Sequence, residues 1–254
     1  MVISRRHKLT IAVLVLYWPA MFILMHLSPV KISHLLSNVR IWDKVLHYLA
    51  YLLLVFLLWF TINPEKKVNW KKAAVWWILL VVVWYGVMDE WLQGYVGRNP
   101  DVKDFLADLA GAVTALVLLT ILHFWSAALV VTGITIFALT NFNQINYSRW
   151  LPLTDAIVLF FGYGFFTMLW IRYIHHYLKP KPPEFKWLIH AILMPTALLL
   201  VVELYSVVTR GGFRGHDFSI SLTAIAAVVA TFYLVPVARK RFKRKPSPDK
   251  AKAS

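Results

Sequence analysis

The chain has 254 residues, of which 59% are hydrophobic and 15% are charged, and its mean hydropathy is +0.62. Because soluble domains carry about 25% charged residues, this balance indicates an integral membrane protein. The net charge of +15 comes from basic residues beside apolar runs, where they act as orientation signals, so we predict no nucleic-acid partner. The lack of cysteine excludes disulfides, thiol catalysis and cysteine-based zinc sites.

Apolar runs recur along the whole chain. A helix needs about 20 apolar residues to cross the hydrocarbon core of a bilayer. We therefore predict an all-α fold, a polytopic transmembrane bundle of about eight spans, at residues 9–27, 45–62, 73–92, 105–123, 126–141, 155–177, 187–208 and 218–237. The fourth and fifth spans are separated only by a break at His123–Ser126, which we interpret as a tight helical hairpin.

The basic residues predict the orientation of these spans. Most of them fall in segments that share one side of the membrane with the N-terminus, including the RKRFKRK run near the C-terminus. The positive-inside rule then places both termini on the cytoplasmic side of the membrane. Residues 241–254 are predicted to form a basic disordered tail, and membrane lipids are predicted partners.

Most of the acids fall at the opposite, outer ends of the spans: Asp43, Asp89, Glu90, Asp101, Asp104, Asp108, Asp155, Glu203 and Asp217. Acids contribute little to membrane topology and are costly beside hydrocarbon. This distribution predicts a functional site on the outer face.

The first candidates open the second span. Asp43 and His47 are four residues apart, so they share a helix face, and a carboxylate can orient a histidine ring and raise its proton affinity. The alternative is a plain helix start, with Asp43 as the cap.

The third span ends in Glu90 and Gln93, which lie on the helix face that includes Gly86. Glu90 would lie near the edge of the hydrocarbon and need a partner, and Arg98 in the following loop could pair with it as a fork. This pair is either a structural ion pair or part of an anion or headgroup site.

The fourth span begins with a turn signature at Asn99–Asp101, and we interpret Asp101 as the helix cap. Asp104, Asp108 and Gly111 follow at helical spacing and line one face. Gly111 would let another helix approach closely. The two carboxylates could bind a cation, share a proton, or pair with Arg98 or Lys103.

The spacing of the acidic residues indicates a degenerate repeat. Glu90 and Asp104 are fourteen residues apart, and so are Glu203 and Asp217, while Asp155 stands where Asp43 stands in the first half. We interpret this as a parallel duplication of four helices, with coincidence as the alternative. It predicts a domain at 1–124, a second four-helix domain at 125–240, and a supporting role for Glu203 and Asp217.

Together these residues resemble the VanZ-like family of bacterial membrane proteins. The resemblance is carried by Asp43-Lys44-x2-His47, by Asp89-Glu90-x2-Gln93, by Arg98, and by Asp104 with Gly111, and it covers roughly residues 9–124. It implies a role at the cell envelope, since the family's namesake is associated with low-level teicoplanin resistance. It does not imply a reaction.

Three functions remain open. The first is a binding site for an envelope precursor, a lipid headgroup or a glycopeptide, built by His47, Glu90, Gln93, Arg98, Asp104 and Asp108, with Asp43 in support. The second is a membrane-embedded hydrolase or transferase that uses His47 with Glu90 or Asp104 as acid and base on a lipid-linked substrate. The third is a transporter, which the parallel repeat permits. No cofactor and no metal motif is predicted.

Overall fold

The structure, a computed structural model, describes residues 5–26, 39–63, 66–95, 100–142, 154–178 and 180–244. These residues contain helices joined by turns and loops, and no strand. The helices are α1 (Arg5–Met25), α2 (Val39–Ile62), α3 (Ala73–Tyr95), α4 (Val102–Ile121), α5 (Phe124–Asn141), α6 (Thr154–Tyr177), α7 (Phe185–Arg210) and α8 (Gly215–Arg244). The predicted all-α fold is confirmed, and each predicted span corresponds to one helix.

The ends of these helices differ from the predicted spans by a few residues, because helices continue into polar sequence beyond the apolar run. The hairpin between the fourth and fifth spans is confirmed: α4 has its C-cap at Leu122, and α5 has its N-cap at His123.

Seven of the described helices, all except α1, are long and apolar enough to cross a membrane. The apolar part of α1, His7–Ile23, is shorter than the span predicted there. Large apolar side chains point away from the helix contacts, and Trp76, Trp77 and Trp84 of α3 are 58%, 64% and 67% exposed. Such apolar surfaces can face lipid, because the backbone polar groups of a helix are hydrogen-bonded within the helix and only the side chains meet the hydrocarbon.

The chain divides into two compact units, Met1–Asn146 and Tyr147–Ser254. The helix α5 packs on α2 and α4, and the division falls after it. The predicted domains at 1–124 and 125–240 stay a prediction. The helix α8 continues to Arg244, so the predicted tail begins as helix, and the residues beyond lie outside the described part of the chain.

In the first unit α2 is the central helix and packs most extensively on α4. The wholly buried residues of α2 include Tyr51, Leu52, Leu54 and Val55. Gly111 of α4 makes this packing possible, because a Cβ at that position would lie 2.2 Å from the backbone oxygen of Tyr48. The close approach predicted for Gly111 is confirmed. His47 and Asp108 flank this contact, and it brings them together.

In the second unit α6 packs most extensively on α8, and α7 packs on both. Its wholly buried residues include Tyr163, Ile171, Ile174, Trp187, Ala191 and Ala224. The first unit has the same pattern, since α3 packs on both α2 and α4. This likeness agrees with a duplication, which itself stays a prediction.

Candidate functional site

Three helices of the first unit bring buried polar side chains together near one end of each helix. We call this group the polar cluster; it consists of His47 from α2, Asp89, Glu90 and Gln93 from α3, and Asp104 and Asp108 from α4. The exposed fraction of these residues ranges from 1% for His47 to 8% for Glu90. Five of the six predicted site residues are therefore members, and the sixth, Arg98, lies outside the described residues.

The closest contact in the polar cluster joins His47 to Asp108. The ring nitrogen Nδ1 of His47 lies 2.9 Å from Oδ1 of Asp108, and both side chains are almost completely buried. When Asp108 is ionised its carboxylate only accepts hydrogen bonds, and in that state Nδ1 carries the proton and donates it. This tautomer leaves the lone pair of Nε2 able to accept a proton or bind a ligand. Asp108 thus plays the orienting role that the sequence suggested for Asp43.

Asp43 lies near this pair but does not cap α2. The helix begins at Val39, so Asp43 is inside its second turn, and the capping alternative is wrong. One oxygen of Asp43 lies within 4.8 Å of potential ligand atoms of both His47 and Asp104. Its predicted place beside His47 agrees with this proximity.

Hydrogen bonds hold the α3 members in place. Gln93 donates from Nε2 to Oδ2 of Asp89 over 3.1 Å. Oε2 of Glu90 accepts the backbone N–H of Asp101 over 2.9 Å. In addition, Nδ1 of His26 lies 3.7 Å from Oδ1 of Asp89. Glu90 is therefore tied to the start of α4.

The start of α4 forms a charged rim beside the polar cluster. Asp101 is its N-cap, as predicted, and accepts the backbone N–H of Lys103 over 2.9 Å. Lys44 of α2 donates to Asp101 over 3.1 Å and to Asp104 over 2.7 Å. The N–H of Lys103 and the ammonium of Lys44 hold the pKa of Asp101 below its ordinary value. Asp104 thus pairs with Lys44, and the proposed pairing of Asp104 with Lys103 is not the one found.

Close helix packing closes the polar cluster on its inner side. A Cβ at Gly86 of α3 would meet Phe105 at 3.3 Å and Oδ2 of Asp108 at 3.5 Å. The rings of Tyr51 and Tyr85 lie 6.0 Å apart, and within the described residues the buried hydroxyl of Tyr51 has no hydrogen-bond partner. Spare polar atoms therefore remain inside the site.

The second unit holds a reduced version of this arrangement. Glu203 is buried, its Oε2 accepts the backbone N–H of Arg214 over 3.4 Å, and its Oε1 lies 3.8 Å from the guanidinium of Arg214. Asp217 lies 3.6 Å from the same guanidinium. Glu203 and Glu90 each accept an N–H from the residue eleven positions later. Ser206 and Ser221 are buried where the first unit has Gln93 and Asp108.

Two members of the site were not among the predicted site residues. Asp89 is buried and bonded to Gln93, and its spacing of four residues from Gln93 was the signal that could have identified it. Lys44 bonds to carboxylates more than fifty residues away, and no local pattern indicates that reach.

The fold and the polar cluster define a helical membrane protein with a buried, carboxylate-rich site. Residues 6–123 match the VanZ-LLP1 family model, described as VanZ/LLP1. The first half of the chain is thus VanZ-like, as its motifs predicted, and the match ends where α5 begins. No curated protein and no solved structure matches the chain.

Proposed function

We propose that the protein acts in the bacterial cell envelope, as an integral protein of the cytoplasmic membrane with both termini in the cytoplasm. The polar cluster would face outward and recognise the polar part of an envelope precursor or of a glycopeptide. The observation that carries this proposal is the burial of six hydrogen-bonding side chains on three helices, several with atoms that no described residue uses.

Such a cluster is costly unless something compensates it. Burying a polar group without a partner costs roughly 1–3 kcal/mol, and a buried charge costs more. Within the described residues, Nε2 of His47, Oε1 of Glu90 and Oδ2 of Asp108 are buried without a hydrogen-bond partner. A site that binds a polar molecule accounts for atoms kept in this state, whereas a purely structural network would use them.

The chemistry of the cluster indicates the kind of ligand. Carboxylate oxygens dominate it, and its lysine neighbour Lys44 is already engaged by Asp101 and Asp104. Acceptors therefore outnumber donors, which favours hydroxyl, amide or ammonium groups over a bare phosphate. Sugars and peptides carry such groups, and both occur in envelope precursors and glycopeptides. The VanZ-like match of the first half also supports a ligand from the cell envelope.

The test is growth under teicoplanin of a susceptible bacterium that expresses the full chain. We expect Glu90→Gln to remove any protection, because an amide cannot supply the charged acceptor. Glu184→Gln is the matched control, since Glu184 is exposed and its side chain makes no cap hydrogen bond at the start of α7. Protection by Glu90→Gln equal to wild type, at equal membrane abundance, would contradict the proposal. A wild-type chain without effect under teicoplanin or envelope stress would also contradict it.

A membrane-embedded hydrolase or transferase is the second candidate. The His47–Asp108 pair favours it, because a carboxylate on Nδ1 prepares Nε2 to act as a general base. Turnover of a lipid-linked substrate by the purified protein, lost in His47→Ala, would distinguish it from a binding protein. The polar cluster lies near helix ends and not at their midpoints, where transporter sites are usually built, which disfavours the transporter alternative.

A further inference from the structure

We propose that His47, Asp89, Glu90 and Asp108 bind a divalent transition-metal ion, of the Mn²⁺ or Zn²⁺ type. This inference deepens the proposed function and rests on it for the identity of the site. Each of the four residues offers one potential ligand atom, and these atoms all lie within 4.8 Å of one another. Ligands around Zn²⁺, at about 2.0–2.2 Å from the metal, are roughly 3.4 Å apart. Small side-chain rotations would therefore close the four atoms around an ion.

Two of the ligands are already oriented by hydrogen bonds on their other atoms. Gln93 holds Asp89, and the N–H of Asp101 holds Glu90. Metal ligands in proteins are typically fixed in this way. The remaining atoms Nε2 of His47, Oε1 of Glu90 and Oδ2 of Asp108 are buried, and no described residue bonds to them. The cluster therefore provides buried atoms that can coordinate an ion, and hydrogen bonds that hold the side chains of Asp89 and Glu90 in place.

Charge gives an independent reason for a cation. Asp89, Glu90 and Asp108 place three carboxylates in one buried volume, at helix positions inside the apolar spans. Beside them the described residues include His47 and His26, which are cationic only when protonated. Lys44 is occupied at the rim by Asp101 and Asp104. All three carboxylates would attract a divalent ion placed between them.

A neighbouring set is a weaker candidate. Asp43, His47 and Asp104 also place ligand atoms within 4.8 Å of one another. However, Asp104 is already neutralised by Lys44 at 2.7 Å, and Asp43 is only half-buried.

The ligand types select the class of metal. One imidazole with three carboxylates suits Mn²⁺, Fe²⁺ or Zn²⁺, whereas Ca²⁺ and Mg²⁺ prefer oxygen ligands alone. The sequence contains no motif for such a site, because its ligands come from three helices and span positions 47 to 108. The proposed metal site is therefore created by the packing of the helices and not by a local sequence motif.

The experiment is metal analysis of the full chain, purified in mild detergent without a histidine tag. The protein is treated with EDTA, incubated with MnCl₂ or ZnCl₂, desalted, and measured by inductively coupled plasma mass spectrometry. We expect about one ion per wild-type chain, the same for Glu184→Gln, and a loss of most of it in Glu90→Gln and Asp108→Asn. Fewer than about 0.2 ions per wild-type chain with either metal, or undiminished binding in both folded variants, would overturn the proposal.

A spectroscopic measurement covers the case in which the variants fail to fold. Wild-type protein loaded with Mn²⁺ should show nitrogen coupling in pulsed electron paramagnetic resonance, because His47 is a ligand. Bound Mn²⁺ without nitrogen coupling would overturn the assignment. Neither measurement depends on growth: metal binding without a growth phenotype would contradict the proposed function alone, and a phenotype without metal would contradict this inference alone.

Discussion

The closest packing in the first unit gives the sharpest structural prediction, for Gly111→Ala. The added Cβ would lie 2.2 Å from the backbone oxygen of Tyr48 and 3.0 Å from the nitrogen of Leu52. Real Cβ contacts under 3.0 Å essentially never occur, so α2 and α4 must separate locally by about 1 Å. Backbone atoms cannot rotate away as a side chain can. We expect a loss of about 1–3 kcal/mol in the free energy of unfolding, less a small gain in helix propensity.

The assay is thermal unfolding in detergent, followed by the fluorescence of the 12 tryptophans. For a chain of this size about 1 kcal/mol corresponds to a shift of roughly 2–4 °C, so the Tm should fall by several degrees. The separation should also lengthen the 2.9 Å contact between His47 and Asp108 and weaken metal binding.

The matched control is Gly164→Ala in α6 of the second unit. There the nearest atom to an added Cβ is Cγ2 of Val228 at 3.7 Å, which is an ordinary van der Waals distance. The Tm of this variant should be unchanged or slightly raised. If Gly111→Ala and Gly164→Ala unfold at the same temperature, the close approach of α2 and α4 does not hold the site together, and the reasoning is refuted.

Two ion-pair variants extend the same measurement. Lys44→Met should lower the stability by about 1–3 kcal/mol, because buried Asp104 loses its cation, and the double variant with Asp104→Asn should recover most of that loss. A Tm equal to that of wild type would show that water or another cation compensates Asp104. Arg214→Met should destabilise the second unit by a similar amount, because Glu203 is buried beside the guanidinium, and Glu203→Gln should restore stability. An equal loss with and without Glu203→Gln would mean that Arg214 acts through another contact.

Much of the fold follows from the sequence because membrane helices must satisfy their backbone within themselves. Apolar length alone therefore located α2 to α8, and helical spacing placed Asp104, Asp108 and Gly111 on one buried face of α4. The same spacing could not show that Asp43 lies inside α2, because that helix extends into polar sequence before the apolar run begins.

The polar cluster was predictable as a set of residues but not as a set of contacts. His47 and Asp108 are 61 positions apart, and Lys44 and Asp104 are 60 apart, so only the packing of α2 on α4 pairs them. Asp43 was the predicted partner of His47 because the two residues are close in the chain. Asp89 was not a predicted site residue, although it is buried and is one of the four proposed ligands. Local spacing identifies faces, and tertiary packing decides partners.

The most direct measurement of the central claim, that the polar cluster is the working site of the VanZ-like half, is growth under teicoplanin with three glutamate variants at equal membrane abundance. Glu90→Gln lies in the polar cluster, Glu203→Gln at the corresponding place in the second unit, and Glu184→Gln at an exposed helix start. The account predicts that protection is lost with Glu90→Gln and kept with Glu184→Gln, while Glu203→Gln reports whether the second unit contributes. Protection that survives Glu90→Gln would contradict the account.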